Sequence, residues 1–198
     1  MAQPLNANTP EEAERHMNDK ILLLGRRRSG RSSLIRALLR GVSVPLYGYE
    51  TVTMGTRSDG WHEIYLTPYG QPLREKREEN HVGDCNTRDR LVNNRVFDTL
   101  GTACLRPETP GILVMDEIGF MESGAEVFCQ AVLRALDGPL PVLAAVRAGI
   151  ETPFLSRVTA HPGARCYAMG PERFDELYRE LRPLVLAWEQ RLREGTGL

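Results

Sequence analysis

The chain has 198 residues, of which 41% are apolar and 26% charged. That balance fits a folded globular chain and speaks against a disordered or membrane-embedded one, and the length suits one domain that buries about 70% of its unfolded surface. With 25 basic and 26 acidic side chains the net charge is −1, so no global field draws nucleic acid or an anionic membrane, and any basic patch must be local.

The first residues, "MAQPLNANTPEEAERHMND", are polar and hold Pro4 and Pro10. They read as a flexible arm over residues 1–19, in front of a folded domain over 20–198. Thr9, followed by Pro10, Glu11 and Glu12, has the pattern of a helix cap with an acidic first turn. No apolar stretch of signal-peptide length stands here, and no later run approaches the roughly 18 apolar residues of a membrane span. Cys85, Cys104, Cys129 and Cys166 form no C-x-x-C pair and lack the close His partners of a zinc site; they read as free thiols in a cytoplasmic protein.

From residue 20 short apolar runs alternate with helical patterns. Ile21 to Leu24 reads as a buried strand ending in a glycine, and Leu34, Ile35, Leu38 and Leu39 then share one helical face before Gly41. "YETVTM" and "WHEIYLT" flank a turn over residues 55–60 and predict a hairpin. Residues 68–90, with "LREKREEN" at their centre, read mostly as loop or lid. "ILVMDEIG", "LPVLAAV" and "ARCYAM" predict further buried strands, with helices near 123–137, 153–160 and 171–194. In the last helix Phe174, Leu177, Leu181, Leu184, Trp188 and Leu192 form one apolar stripe, read as core packing. The pattern predicts an α/β fold: a mainly parallel sheet sandwiched by helices, with an inserted antiparallel hairpin.

Two segments carry chemistry. "GRRRSGRSS", Gly25 to Ser33, follows the phosphate-loop pattern G-x-x-x-x-G-K-[ST] with Arg31 where the pattern has lysine. Its backbone N–H groups and the positive end of the following helix hold phosphate without any side chain. Arg31 keeps the charge, but its planar fork differs in shape from a compact ammonium, which puts turnover more at risk than binding. Arg26, Arg27 and Arg28 are read as solvated, with one of them folding over the phosphates as the alternative. "ILVMDEIGFME" is a buried strand that ends in two acids, Asp116 and Glu117, at the sheet edge where ligands of open α/β sheets bind. Alternation along a strand sends the two carboxylates in different directions. An ordinary tight turn and an acidic helix start are the bland readings; the two segments in this order, each at the end of a buried strand, favour a nucleotide site. Few aromatics interleave with the arginines, which disfavours single-stranded nucleic acid. Trp61 and His62 read either as a stacking surface for a nucleobase or as hairpin packing.

On "GRRRSGRSS", "DEIGFME" and "LPVLAAVRAGIETPFLSRV", with "YGYET", "RSDGW", "GQPLREK" and "VFDTLG" around them, the sequence resembles the small nucleoside-triphosphatases of the additional-strand P-loop class, first described from thermophiles and also found in animals. The likeness covers roughly residues 20 to 182. It implies a phosphate cradle at Gly25, Arg26, Arg27, Arg28, Ser29, Gly30, Arg31, Ser32 and Ser33, and magnesium held by Ser32 and, through water, by Asp116. It also implies Glu117 as activator of the attacking water, with Arg31 as the catalytic cation. Arg147 stands where many members carry histidine. The function so implied is magnesium-dependent hydrolysis of a nucleoside triphosphate, ATP or GTP, to the diphosphate and phosphate. The alternatives are a small-molecule kinase of the same superfamily and a non-hydrolysing nucleotide-binding regulator. Nucleobase preference and oligomeric state are not encoded in any motif.

Overall fold

The computed structural model describes residues 19–196. The cap expected at Thr9, and the arm up to residue 18, lie outside the described residues. Asp19 belongs to the folded body: it is buried, and Arg191 donates to both of its carboxylate oxygens at 2.7 and 2.6 Å.

One eight-stranded sheet runs in the order β5-β4-β3-β2-β6-β7-β1-β8. Its parallel part comprises β2 (Leu46–Thr56), β6 (Ile112–Ile118), β7 (Val142–Arg147), β1 (Lys20–Gly25) and β8 (Ala164–Ala168). β3 (His62–Pro68), β4 (His81–Cys85) and β5 (Arg90–Val92) extend it antiparallel from β2. Residues 68–90 are mostly loop, as their charge suggested, but β4 lies within them and β5 begins at their end. The hairpin expected over 49–67 continues into two more strands, with Val82 fully buried on β4 and the exposed charges at Glu78, Glu79 and Arg90 flanking it. A charged segment can hide a strand when only one face of the sheet is covered.

Among the described residues, besides short 3-10 turns, five helical segments flank the sheet: α1 (Arg31–Leu38), α2 (residues 94–104, with a π-helical middle over Phe97–Gly101), α3 (Glu126–Asp137), α4 (Pro153–Thr159) and α5 (Phe174–Thr196). The strand alternation sorts them. Ile21, Leu23, Ile112, Val114, Leu143 and Ala145 pack with α1 and α5, whereas Leu22, Leu113, Met115, Val142 and Ala144 pack with α2, α3 and α4. Strands covered on both faces read as continuous apolar runs, which is why β1, β6 and β7 were legible from sequence. The stripe on α5 is core as expected: Leu177, Leu181 and Trp188 are buried, Phe174, Leu184 and Leu192 pack partly buried against the same cluster, and Val185 joins them. "ARCYAM" departs from expectation: β8 is an edge strand, paired only with β1, and Arg165, Cys166 and Ala168 on it are exposed.

Candidate active site

β1, β6 and β7 lie side by side and parallel, so their carboxyl ends open onto one edge of the sheet. From β1 the chain enters the arginine loop. Gly25 is held on both sides: its carbonyl accepts the Ala148 N–H at 2.9 Å, while the Met169 N–H donates to the preceding Leu24 carbonyl at 2.7 Å. A Cβ at position 25 would stand 2.2 Å from Ser29 Oγ and 3.0 Å from the Met169 carbonyl, so only glycine fits this close approach. Arg28 (φ 62) and Gly30 (φ 93) both take the left-handed conformation and curl the loop into a cup. Gly30 caps α1 without a side-chain hydrogen bond, so the first N–H groups of the helix remain available to an anion. The result is a cavity of about 240 Å³ lined by Arg27, Arg28, Ser29, Gly30, Arg31, Ser32, Ser33 and Glu117. Ser29 Oγ and Arg31 Nη1 are buried here without a partner. Unsatisfied buried donors of this kind point to a bound group that completes them.

Arg26, Arg27 and Arg28 are all exposed. Arg31 is not: it is 4% exposed, and its Nη2 donates to Glu117 Oε2 at 2.6 Å and to the Arg26 carbonyl at 3.3 Å. Burial lowers its pKa, opposed by Glu117 and reinforced by the like charge of Arg147.

The two acids part, although the pairing of β6 with β7 shifts register between Asp116 and Ile118, so regular strand alternation is not what separates them. Asp116, 5% exposed, accepts from Ser32 Oγ at 2.8 Å, which brings together residues 84 positions apart. Desolvation raises its pKa, with the Ser32 hydrogen bond acting the other way. Glu117 faces the cavity mouth, 31% exposed, between Arg31 on Oε2 and Arg147 on Oε1 at 3.4 Å. Its backbone carbonyl accepts from the buried Tyr49 hydroxyl at 3.3 Å, and the Asp116 carbonyl lies 3.5 Å from Thr51 Oγ1. Those two bonds tie the end of β6 to β2.

Sequence reasoning missed a second cavity. A cleft of about 250 Å³ adjoins the cradle, sharing Arg27, Ser32 and Glu117 with it, and is walled by Thr51, Thr53, Ile64, Val82, Phe97 and Phe120 among others. Arg90 lies over the Phe120 ring at 4.4 Å. Glu122 lines this cleft, 3% exposed, and accepts the Gly119 N–H at 2.8 Å. Burial pushes its pKa up to about 7. The signal for Glu122 stood in the sequence as the last letter of "DEIGFME", but only the fold shows that it is buried. Trp61 and His62 line neither cavity; they close the β2–β3 turn, where the Trp61 carbonyl accepts from Arg57 N–H at 2.8 Å. That placement favours hairpin packing over base stacking.

Comparison with known proteins agrees with this architecture. Two solved structures share the fold. One is THEP1 from the hyperthermophile Aquifex aeolicus, 18% identical, with a TM-score of 0.61 over 84% of this chain and 98% of that one. The other is the solution structure of a human cancer-related nucleoside triphosphatase, 22% identical, with a TM-score of 0.59 over 85% of this chain and 97% of that one. No curated protein matches the sequence significantly. The model of the NTPase family matches residues 20–182, a span that runs from the first residue of β1 into α5 and takes in both acids and the whole arginine loop; the chain belongs to the NTPase family and has the P-loop fold.

Proposed function

We propose that the protein hydrolyses a nucleoside triphosphate, ATP or GTP, to the diphosphate and phosphate with magnesium, and does so slowly. One observation carries the reading: Glu117 stands between a backbone-lined anion cup and an adjoining cleft, where a carboxylate can take a proton from water attacking a phosphate seated in the cup. The family membership of residues 20–182 and the printed description of the human structure as a nucleoside triphosphatase support it.

The donor set suits magnesium. Asp116 is a buried carboxylate whose side chain has a single neutral hydroxyl, Ser32 Oγ, as hydrogen-bond partner; a hard cation compensates such a charge better than a hydroxyl does. Magnesium commonly uses one or two protein oxygens and completes its shell with water and phosphate, so an all-protein cage is not needed. Bound by Ser32 and Asp116, magnesium would supply positive charge to the phosphates. The loop N–H groups and the orphaned Ser29 hydroxyl bind phosphate. Arg31 brings its charge to the same cup. Glu117 orients the attacking water and receives its proton. Slowness follows from Arg31: its 2.6 Å bond occupies the carboxylate that has to serve as base, and a reacting group displaced by about 1 Å costs on the order of 100-fold in rate. No described helix is long and apolar enough to cross a membrane; the four free cysteines support a reducing, cytoplasmic location.

The cleft beyond Glu117 is far larger than one water needs and its wall is partly apolar, which favours, as a second reading, transfer of the phosphoryl group to a small alcohol. Phosphate release from ATP and GTP, with and without magnesium and with and without added nucleosides or sugars, decides between them. Magnesium-dependent release in water alone is the expected result. No release under any condition would exclude hydrolysis, and labelled acceptor without free phosphate would establish the kinase reading in its place.

A further inference from the structure

Away from the cradle, a cavity of about 220 Å³ lies between the end of α2 and the last two turns of α3, beside the amino ends of β6 and β7. Leu105, Leu113, Ala131 and Leu140 give it an apolar wall, and Arg106 and Arg134 are its charged residues. Among the described residues no carboxylate lines it. Both arginines are exposed, and neither side chain has an ion-pair or hydrogen-bond partner among the described residues. Asp137, one turn along α3 from Arg134, hydrogen-bonds with His161 at 3.1 Å instead. Two unpaired cations beside an apolar wall suit an occupant that is both acidic and apolar.

The chain enters the folded body at this same edge. Lys20 on β1, Val142 on β7 and Leu113 on β6 stand in one row of the parallel register, so Leu113 lies about 10 Å from the start of β1, two strand spacings away. Lys20 is buried and its Nζ donates to the carbonyl of Leu140 in the cavity wall, while the Val142 N–H donates to the Asp19 carbonyl at 2.7 Å. The residues that precede Asp19 have the matching chemistry. Glu11, Glu12 and Glu14 supply three carboxylates against one arginine, Arg15, and Met17 supplies a long, adaptable apolar side chain. A chain spans at most about 3.6 Å per residue, so Glu14 reaches about 18 Å from Asp19 and Glu11 about 29 Å, enough to cross two strands. A tether this short holds the segment at an effective concentration in the millimolar range, so weak contacts suffice.

We propose that this cavity is the docking site of the chain's own residues 11–17, with Met17 against the apolar wall and the carboxylates of Glu11, Glu12 and Glu14 against Arg106 and Arg134. The docking stands apart from the hydrolysis reading, since the cavity shares no residue with the cradle or its cleft. The rival occupant is the same acidic segment from a second copy of the chain.

Two measurements on the full chain test this. A photoreactive methionine analogue placed at position 17 alone should crosslink, on illumination, to residues 102–107 or 131–140 of its own chain, and a mixture of isotope-labelled and unlabelled protein tells same-chain from cross-chain products. Trypsin cleavage after Arg15 is compared with that of a free peptide of residues 5–19 carrying the same substitutions, and docking should slow it at least about tenfold in the parent, because cleavage follows the undocked fraction. Arg106→Gln with Arg134→Gln, and separately Glu11→Gln, Glu12→Gln and Glu14→Gln together, should each raise the normalised rate at least about fivefold. The two sets combined should add less than about twofold more, since both break the same contacts. Parent cleavage at the free-peptide rate, or protection that survives either set, would overturn the proposal. Crosslinks elsewhere in the fold, crosslinks between chains, or none at all would overturn it equally.

Discussion

Arg31 and Glu117, 86 positions apart, meet at 2.6 Å between Nη2 and Oε2. The loop cation and the strand-end acid, which the proposed hydrolysis puts on opposite sides of a phosphate, are bonded directly to each other. With the neighbouring Nη1 buried and unpartnered, the arrangement is that of a cation waiting for a second anion.

That contact shapes the expectation for position 31. Arg31→Lys restores a compact ammonium that reaches phosphate without forking onto Glu117, so nucleotide binding should change little. Hydrolysis should rise about tenfold, near 1.4 kcal/mol of transition-state stabilisation. Arg31→Ala should be slower than both. Single-turnover hydrolysis by the three proteins checks this, and identical rates in all of them would mean that position 31 does not touch the phosphates.

Glu117→Gln keeps size and hydrogen-bonding capacity but cannot take a proton. Hydrolysis should fall by about 100-fold or more with nucleotide affinity nearly unchanged. Steady-state phosphate release alongside equilibrium nucleotide binding is the measurement. A variant as fast as the parent would remove Glu117 from the chemistry.

The 2.8 Å contact between Ser32 and Asp116 predicts a shared dependence on magnesium. Ser32→Ala and Asp116→Asn should each raise the magnesium concentration needed for half-maximal activity, the aspartate change more strongly because it removes the charge. Magnesium titrations of both variants that superimpose on the parent's would refute the assignment.

Glu122 predicts a pH-dependent stability. Its carboxyl keeps its proton up to about pH 7 in the folded protein against an ordinary value of 4.5, because it is buried and Glu117 is nearby. Between those two values the unfolded chain has released a proton that the folded protein still holds, so stability falls as pH rises across that window, by roughly 3 kcal/mol at most. Glu122→Gln still accepts the Gly119 N–H but has nothing to titrate. Urea unfolding at pH 5 and pH 8 should show the variant gaining on the parent at the higher pH. An equal difference at both values would place the Glu122 carboxyl elsewhere than in a dry site.

The part of this protein written locally was legible. β1, β6 and β7 are covered on both faces and so show as unbroken apolar runs, and the loop was recognisable because Gly25 and Gly30 sit at positions where the backbone turns or packs too closely for a side chain. That Asp116 and Glu117 would point apart was expected from the two-residue period of a strand, and they do, but β6 shifts register against β7 between Asp116 and Ile118, so local irregularity rather than the period separates them. β4 and β5 were hidden because a sheet margin with one wet face carries as many charges as a loop, and β8 looked central because an edge strand and a buried one share the same β-forming residues.

Sequence by itself determined the fold class, the order of its elements and the two segments that meet at the sheet edge, since each depends on residues within a turn or a strand of one another. Only the tertiary structure decided that Arg31 lies buried against Glu117, that Arg147 emerges beside Gly25, and that the extended sheet walls a second cleft next to the cradle. Those relationships join residues many tens of positions apart. Whether a charge is exposed or paired across such a distance is set by which strands become neighbours, and the order β6-β7-β1 is a consequence of packing the whole core, which no local pattern encodes.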